Sequence, residues 1–178
     1  QGLNNTSLGV QTFSSNISGS YNTAVGNLAL FINTKGHYNT ALGESALKNN
    51  SGSLNTATGR QALLSNTLGY NNTAQGVEAL RSNTTGNSNT AVGTNAMYFN
   101  TTRSNLVAVG DSALYNSGLA VTNSTQAINN TAVGSKAMFG NTTGSANTAF
   151  GYQSLYSNSL GYRNNALGYR SLYSNTSG

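Results

Sequence analysis

The chain has 178 residues, the length of one ordinary domain, and only 6% of them are charged, while proline, cysteine and tryptophan are absent. Its net charge of +5 comes from eight scattered Lys and Arg residues, which argues against nucleic-acid binding, because a nucleic-acid groove combines a basic stripe with aromatic stacking platforms. No apolar run approaches the roughly eighteen residues of a membrane span, so we expect no membrane insertion of this segment.

A five-residue phrase ending in glycine recurs along the whole chain. It reads NTAVG at residues 22–26 and NTAFG at residues 147–151. The glycines that close its copies are Gly9, Gly26, Gly43, Gly59, Gly76, Gly93, Gly110, Gly134, Gly151 and Gly168. Successive glycines are 17 residues apart, except for one step of 16 and one of 24. A fixed period with isolated changes of length is typical of a solenoid, in which stacked coils absorb insertions as loops.

The second half of each repeat carries a small residue followed by a large apolar one. The large residues form the column Leu30, Leu47, Leu63, Leu80, Met97, Leu114, Met138, Leu155 and Leu172. A second turn follows, usually Asn-Thr-x-Gly, as at residues 83–86. Glycine and asparagine tolerate the left-handed backbone of tight corners, so each repeat is predicted to contain two short strands separated by two turns.

These patterns predict an all-β fold, a parallel β-solenoid or β-roll of about ten 17-residue coils, with residues 1–178 forming a single array. A helical interpretation is disfavoured, because Gly, Asn and Thr are poor helix formers and apolar residues do not recur at helical spacing. Coils stacked at about 4.8 Å would form a rod about 50 Å long. Stacked Asn side chains would hydrogen-bond along it, and the Leu/Met column would form its apolar spine.

A second apolar face predicts an oligomer. Adjacent residues of a strand point to opposite faces, so the Leu/Met column should fill the coil while the neighbouring Ala column faces outward. The first strand adds an apolar column, interrupted by Thr58 and Gln75: Val25, Leu42, Val92, Val109, Val133, Phe150 and Leu167. We expect one of these faces to pack against another copy of the chain in a homotrimer. The alternative is that alanine is merely tolerated at a surface position.

Three phrases resemble a known class of repeats: NTAVG at 22–26, GYQSLYSN at 151–158 and NTTGSANTAFG at 141–151. They are similar to repeats of bacterial and phage tail-fibre proteins and, more distantly, to the head domain of trimeric autotransporter adhesins, a left-handed parallel β-roll. The resemblance implies a homotrimeric fibre at an extracellular, cell or virion surface, which attaches to a cell or host through a glycan or protein receptor. The 17-residue period departs from the shorter repeat of the adhesin heads. Since the chain starts within one repeat and stops at the turn glycine Gly178, we expect a piece of a longer array.

The titratable residues predict no catalytic, cofactor or metal site. The chain has three carboxylates, Glu44, Glu78 and Asp111, and Glu44 and Glu78 should lie two coils, about 10 Å, apart, too far for a shared proton. His37 is the only histidine, and a metal site needs more ligands. We therefore expect that the protein is not an enzyme.

Two features are candidates for recognition. Seven extra residues fall within 119–128, and the candidate loop residues are Leu119, Val121, Asn123, Thr125 and Gln126; a neutral insertion is the alternative. An aromatic edge follows the Leu/Met column, with Tyr98, Phe99, Tyr115, Phe139, Tyr156 and Tyr173. Its rings would stack on sugars or pack under a neighbouring subunit.

Threonine columns favour a competing function, ice binding. One column contains Thr6, Thr23, Thr40, Thr56, Thr73, Thr90, Thr131 and Thr148, and a second contains Thr34, Thr67, Thr84, Thr101, Thr142 and Thr176. Regular hydroxyl and methyl groups on a flat face would order water. Val107 and Asn165 interrupt the first column, which weakens this hypothesis. A third possibility is that the array serves only as the shaft of a filament.

Overall fold

A computed structural model describes residues 2–119 and 121–178, and it is all-β. Ten three-residue strands, one from each repeat, stack in chain order into a single parallel sheet, which forms a β-solenoid. The strands are β1 Thr6–Leu8, β2 Thr23–Val25, β3 Thr40–Leu42, β4 Thr56–Thr58, β5 Thr73–Gln75, β6 Thr90–Val92, β7 Val107–Val109, β8 Thr131–Val133, β9 Thr148–Phe150 and β10 Asn165–Leu167. Each coil takes the number of its strand and begins at the residue before it. The predicted parallel solenoid is thus confirmed.

Strand register follows the repeat and survives its two irregular steps. In the regular part, Thr23 pairs with Thr40 and Ala24 with Ala41. Across the 16-residue step, Ala41 still pairs with Ala57, and across the 24-residue step Ala108 pairs with Ala132. The seven extra residues therefore leave the sheet undisturbed and are accommodated beyond the strands.

The prediction of two strands per coil is wrong, because the segment after each corner glycine is a run of turns. Every second residue there has a positive φ, for example 58° at Leu28 and 49° at Leu30. Reversing the sign of φ at alternate residues curls the chain and prevents the extended conformation of a strand. The Leu28 N–H donates to Val10 O of the preceding coil and the Leu30 N–H to Ala46 O of the following coil, both at 3.0 Å. The segment thus bonds to both neighbouring coils without being a strand.

The expectation that the Ala column faces outward is also wrong. Ala29 and Leu30 are neighbours in sequence, and both are fully buried. Alternation between two faces holds only for extended backbone, and the left-handed conformation of Leu30 turns both side chains inward. The strand alanines, such as Ala24, are buried as well, so the core combines two alanine columns with the Leu/Met column.

The Leu/Met column runs the length of the solenoid. Eight of its members are fully buried: Leu30, Leu47, Leu63, Leu80, Met97, Leu114, Met138 and Leu155. Leu172, in coil 10, is 48% exposed. Alanine in the facing strands lets the two walls of each coil approach closely, so large and small side chains fill the thin interior together.

The outer face of the sheet carries the first and third residues of each strand. The first residue is usually Thr, and the third belongs to the apolar column of Val25 and Leu42. Leu42 is 38% and Leu167 82% exposed, while Val92 is half-buried. The sheet therefore presents a hydroxyl column beside a largely apolar column to its surroundings.

The corner glycines have a steric origin. Gly76 has a φ of +139°, and a Cβ atom added there would lie 2.5 Å from the carbonyl oxygen of Gly93 in the next coil. Both the backbone conformation and the coil spacing therefore require glycine at this corner. Within the described ranges, no helix is both long and apolar enough to cross a membrane.

Candidate functional site

Two buried columns of asparagine hold the coils in register around the candidate sites. In the first ladder, which precedes the strands, the backbone N–H of Asn72 donates to Oδ1 of Asn55 at 3.0 Å, and Asn72 Nδ2 donates to Gly86 O at 2.8 Å. In the second ladder, at the Asn-Thr-x-Gly turn, Asn66 Nδ2 donates to Asn50 Oδ1 at 2.7 Å and to Gly69 O at 2.9 Å. Each amide thus joins one coil to the preceding coil and closes a turn.

Coil 7 interrupts both ladders. Leu106 stands in the first ladder and Ser117 in the second, and both residues are buried. The Oγ atom of Ser117 has no hydrogen-bond partner within the described residues. In coil 6, Arg103 replaces the glycine of the Asn-Thr-x-Gly turn. The irregular bonding inside the solenoid coincides with the inserted loop outside it.

The candidate recognition loop is tied to the solenoid on two sides. Arg103 Nη1 donates to Asn123 O at 2.9 Å, and Ser145 Oγ donates to Thr125 O at 3.0 Å. Inside the loop, Gln126 Oε1 accepts a bond from the Thr122 N–H at 2.7 Å. Leu119, Asn123 and Thr125 are exposed, while Val121 and Gln126 are partly buried. Ala120, within the predicted insertion, lies outside the described residues.

Two surface hollows flank this loop. The larger hollow has a volume of about 510 Å³, and the smaller one about 400 Å³. The larger is lined by Thr125, Gln126, Ile128, Asn129, Thr143, Ser145, Ala146, Leu160, Tyr162 and Arg163. The smaller is lined by Thr102, Arg103, Ser104, Asn105, Ser124 and Ile128. Sequence reasoning found the insertion but missed the hollows, because residues of three coils line the larger one and residues of two coils line the smaller one.

The aromatic edge is a continuous stack. Neighbouring rings of Tyr98, Tyr115, Phe139, Tyr156 and Tyr173 lie 5.0–5.3 Å apart, within 18° of parallel. Phe99 meets Tyr98 edge-on at 4.7 Å. Because the ring faces contact one another, a sugar would meet ring edges here. Shorter stacks join Tyr21 to Tyr38 and Tyr152 to Tyr169; sequence analysis missed them, although the 17-residue spacing signals both.

The two threonine columns have different surroundings. The first lies on the outer face of the sheet in register, as in the pairing of Thr73 with Thr90. In the second column, hydroxyls bond within the protein: Thr67 Oγ1 donates to Thr84 O at 3.0 Å. Only the first column therefore offers a regular set of outward hydroxyl groups.

The titratable residues are dispersed. In residues 2–119 and 121–178, the ion pair joins Arg60 Nη2 to Glu78 Oε1 at 2.9 Å. His37 Nδ1 accepts a bond from the Ser20 N–H at 3.1 Å. No group of three or more His, Cys, Asp or Glu side chains that could hold a metal ion occurs in the same described residues.

Comparison with family models, curated proteins and solved structures found no match for this chain. The features of the molecule that bear on function are the outward sheet face, the inserted loop with its hollows, and the aromatic stack.

Proposed function

We propose that this protein is a non-enzymatic surface fibre, extracellular or on a cell or virion, that forms a shaft and attaches to a cell-surface or host receptor. The observation that carries the proposal is the outer sheet face, where an apolar column runs beside the threonine column. Leu42, Phe150 and Leu167 are all more than a third exposed in a single chain. An apolar strip that is interrupted only at Thr58 and Gln75 suits burial against further copies of the same chain.

Side-by-side association is compatible with the chemistry of this face. The strip is in register, because its residues pair between neighbouring strands, for example Val92 with Val109. It contains no charged residue in β1 to β10, so covering it desolvates no ion. Threefold assembly is the form that the tail-fibre resemblance implies, and three such rods would enclose their apolar strips around a common axis.

The mass of the protein in solution tests the assembly. We expect sedimentation equilibrium to give three times the chain mass. Val92→Lys combined with Val109→Lys should dissociate the assembly, because it places charges inside the contact. Gln75 occupies the same column in β5, so polar side chains are compatible with the strand itself. The control is Leu68→Lys, at an exposed turn position, which should keep the wild-type mass. A monomeric wild-type protein would contradict the proposal.

Attachment is tested separately with labelled protein on intact cells. For a receptor contact we expect saturable binding that persists in moderate salt. Binding that moderate salt abolishes reflects the basic net charge alone. Absence of binding to every cell type and glycan tried would reduce the proposal to a shaft.

Ice binding is the second candidate, favoured by the outward first threonine column. Its hydroxyl and methyl groups repeat at the strand spacing of about 4.8 Å along the sheet. Freezing-point depression beyond the melting point at high protein concentration would support it. If monomeric protein that exposes this face shows no gap between its freezing and melting points, ice binding is excluded.

A further inference from the structure

The larger hollow is shaped by the residues of three successive coils. Ser145 and Ala146 of coil 8 form a low floor, because their side chains are small. Larger side chains rise on either side: Ile128 and Asn129 in coil 7, and Tyr162 and Arg163 in coil 9. These six residues occupy two adjacent columns of the repeat, and the hollow lies where the two small side chains of coil 8 stand between larger ones of coils 7 and 9.

The inserted loop closes one end of the hollow. Thr125 and Gln126 line it, and the bond from Ser145 Oγ to Thr125 O, 3.0 Å long, fixes the loop to the floor. Regular coils have no counterpart of this wall, since it consists of residues added to the 17-residue repeat. The volume of about 510 Å³ lies in the range of roughly 300–1,000 Å³ that is typical of small-molecule sites.

The hollow is cationic and offers both apolar and hydrogen-bonding groups. Arg163 is exposed, and the ion pair of the described part of the chain is the distant one between Arg60 and Glu78. The three carboxylates of the chain belong to coils 3, 5 and 7, and none lines the hollow. A guanidinium in this setting favours an anionic ligand, and its planar fork matches a carboxylate.

Tyr162 supplies a flat apolar surface. Its side chain is 66% exposed, and among the described residues it stacks on no other ring, in contrast to the aromatic edge. Its face is therefore accessible to the apolar side of a ring-shaped ligand. The O–H groups of Ser145, Thr125 and Thr143 donate within the protein, so their oxygens serve as acceptors for the hydroxyl groups of a polyhydroxylated molecule. Asn129 adds an amide to the lining.

We propose that this hollow binds a carboxylate-bearing saccharide, with Arg163 contacting the carboxylate and Tyr162 the sugar ring. The inference rests on the attachment part of the proposed function and names the ligand class that this attachment would use. It assigns recognition to the hollow between the inserted loop and coil 9, and away from the aromatic edge.

Titration calorimetry of the full chain tests the inference, with N-acetylneuraminic acid and glucuronic acid as probes. Galactose serves as the neutral comparison and galactose 6-sulfate as the sulfated one. We expect saturable binding of at least one carboxylate probe and at least tenfold weaker binding of galactose, because the charged contact is lost. Equal or tighter binding of the sulfated sugar would overturn the assignment to carboxylates, and absence of binding by both acids would overturn the inference.

Two variants test whether the sugar binds in the hollow. Arg163→Gln should weaken carboxylate binding about tenfold or more, while Lys35→Gln, which removes the same charge from coil 2, should leave it unchanged. Ala146→Tyr should abolish binding by filling the floor. Its backbone has a φ of 56°, and Tyr21 and Tyr38 hold equivalent positions with φ values of 59° and 57°, so the larger residue is compatible with the fold. The matched control is Ser88→Tyr, in the same column in coil 5. Equal effects of either variant and its control would contradict the inference.

Failure of this inference and failure of the proposed function are distinguishable. A trimeric fibre that binds cells equally well with and without Arg163→Gln would retain the proposed function and lose the saccharide site. A monomer that binds the acidic sugars through Arg163 would do the reverse.

Discussion

Oδ1 of Asn55 accepts both the backbone N–H of Asn72, at 3.0 Å, and the side-chain Nδ2 of Asn72, at 3.2 Å. One oxygen thereby holds two donors of the next coil. Asn72 in turn offers its own Oδ1 to the N–H of Asn89 at 3.0 Å. The first ladder is therefore a chain in which each asparagine side chain satisfies the backbone of the following coil, except at the interruption by Leu106.

Removing one ladder amide should destabilise the solenoid. Asn72→Ala leaves the N–H of Asn89 without its partner in the buried interior, and Gly86 O keeps only the bond from the Asn83 amide. We expect the free energy of unfolding to fall by about 2–4 kcal/mol, measured by urea denaturation. Asn27→Ala, at an exposed position after a corner glycine, is the control and should change it by less than about 0.5 kcal/mol. Equal losses for both variants would contradict the role of the ladder.

Two glycine substitutions separate backbone strain from steric overlap. Gly168 has a φ of +120°, and an added Cβ would meet no described atom within 4 Å, so Gly168→Ala should cost only about 1–3 kcal/mol of strain. Gly76→Ala has similar backbone strain and also places Cβ 2.5 Å from Gly93 O. Gly76→Ala should therefore lower the stability clearly more than Gly168→Ala does, and thermal unfolding of the two variants measures the difference. A smaller loss for Gly76→Ala would show that the coil spacing relaxes easily.

Truncation of the Leu/Met column tests the thin core. Leu80 is fully buried, and Leu80→Ala should lower the free energy of unfolding by about 2–5 kcal/mol through lost burial and a residual cavity. Leu68 is 67% exposed, so Leu68→Ala in the neighbouring coil should change the same quantity by less than about 0.5 kcal/mol. Urea denaturation measures both, and comparable effects would place the core elsewhere.

The aromatic stack should contribute to stability through ring contacts. Tyr115 lies 5.3 Å from Tyr98 and 5.0 Å from Phe139. Tyr115→Leu should cost about 1–3 kcal/mol and reduce the near-ultraviolet circular dichroism, since two ring pairs are lost. Tyr115→Phe should retain the stability, because Phe139 occupies the same column without a hydroxyl. A large loss with Tyr115→Phe would instead assign the stabilisation to the hydroxyl group.

The period, the parallel stacking and the turn positions could be predicted from the sequence, because each repeat places Asn, Ala and Gly at the same positions. The second strand could not be excluded. Leu30 adopts a left-handed backbone that leucine rarely takes, and only bonding to the coils on both sides explains it. The inward orientation of Ala29 follows from that backbone, so the same local conformation explains both errors.

The candidate site was predictable only in part. The insertion near Asn123 follows from counting residues, and it leads to the loop. The hollow depends on Ala146 lying between Asn129 and Arg163 in one column, which is visible in the sequence only once the coil register is known. Its depth, and the bond from Ser145 to the loop, are tertiary properties.

The break in the second ladder has an electrostatic consequence. The amides of Asn50, Asn66, Asn83 and Asn100 each donate Nδ2 to Oδ1 of the preceding coil, so their dipoles point in one direction along the axis, as peptide dipoles do in a helix. At Ser117 this alignment stops, and the partial negative charge at its end falls on Asn100 Oδ1, which accepts the N–H of Arg103 at 3.2 Å. A backbone N–H thus caps the negative end of an aligned row of amides, while the guanidinium of the same arginine donates to Asn123 O in the inserted loop.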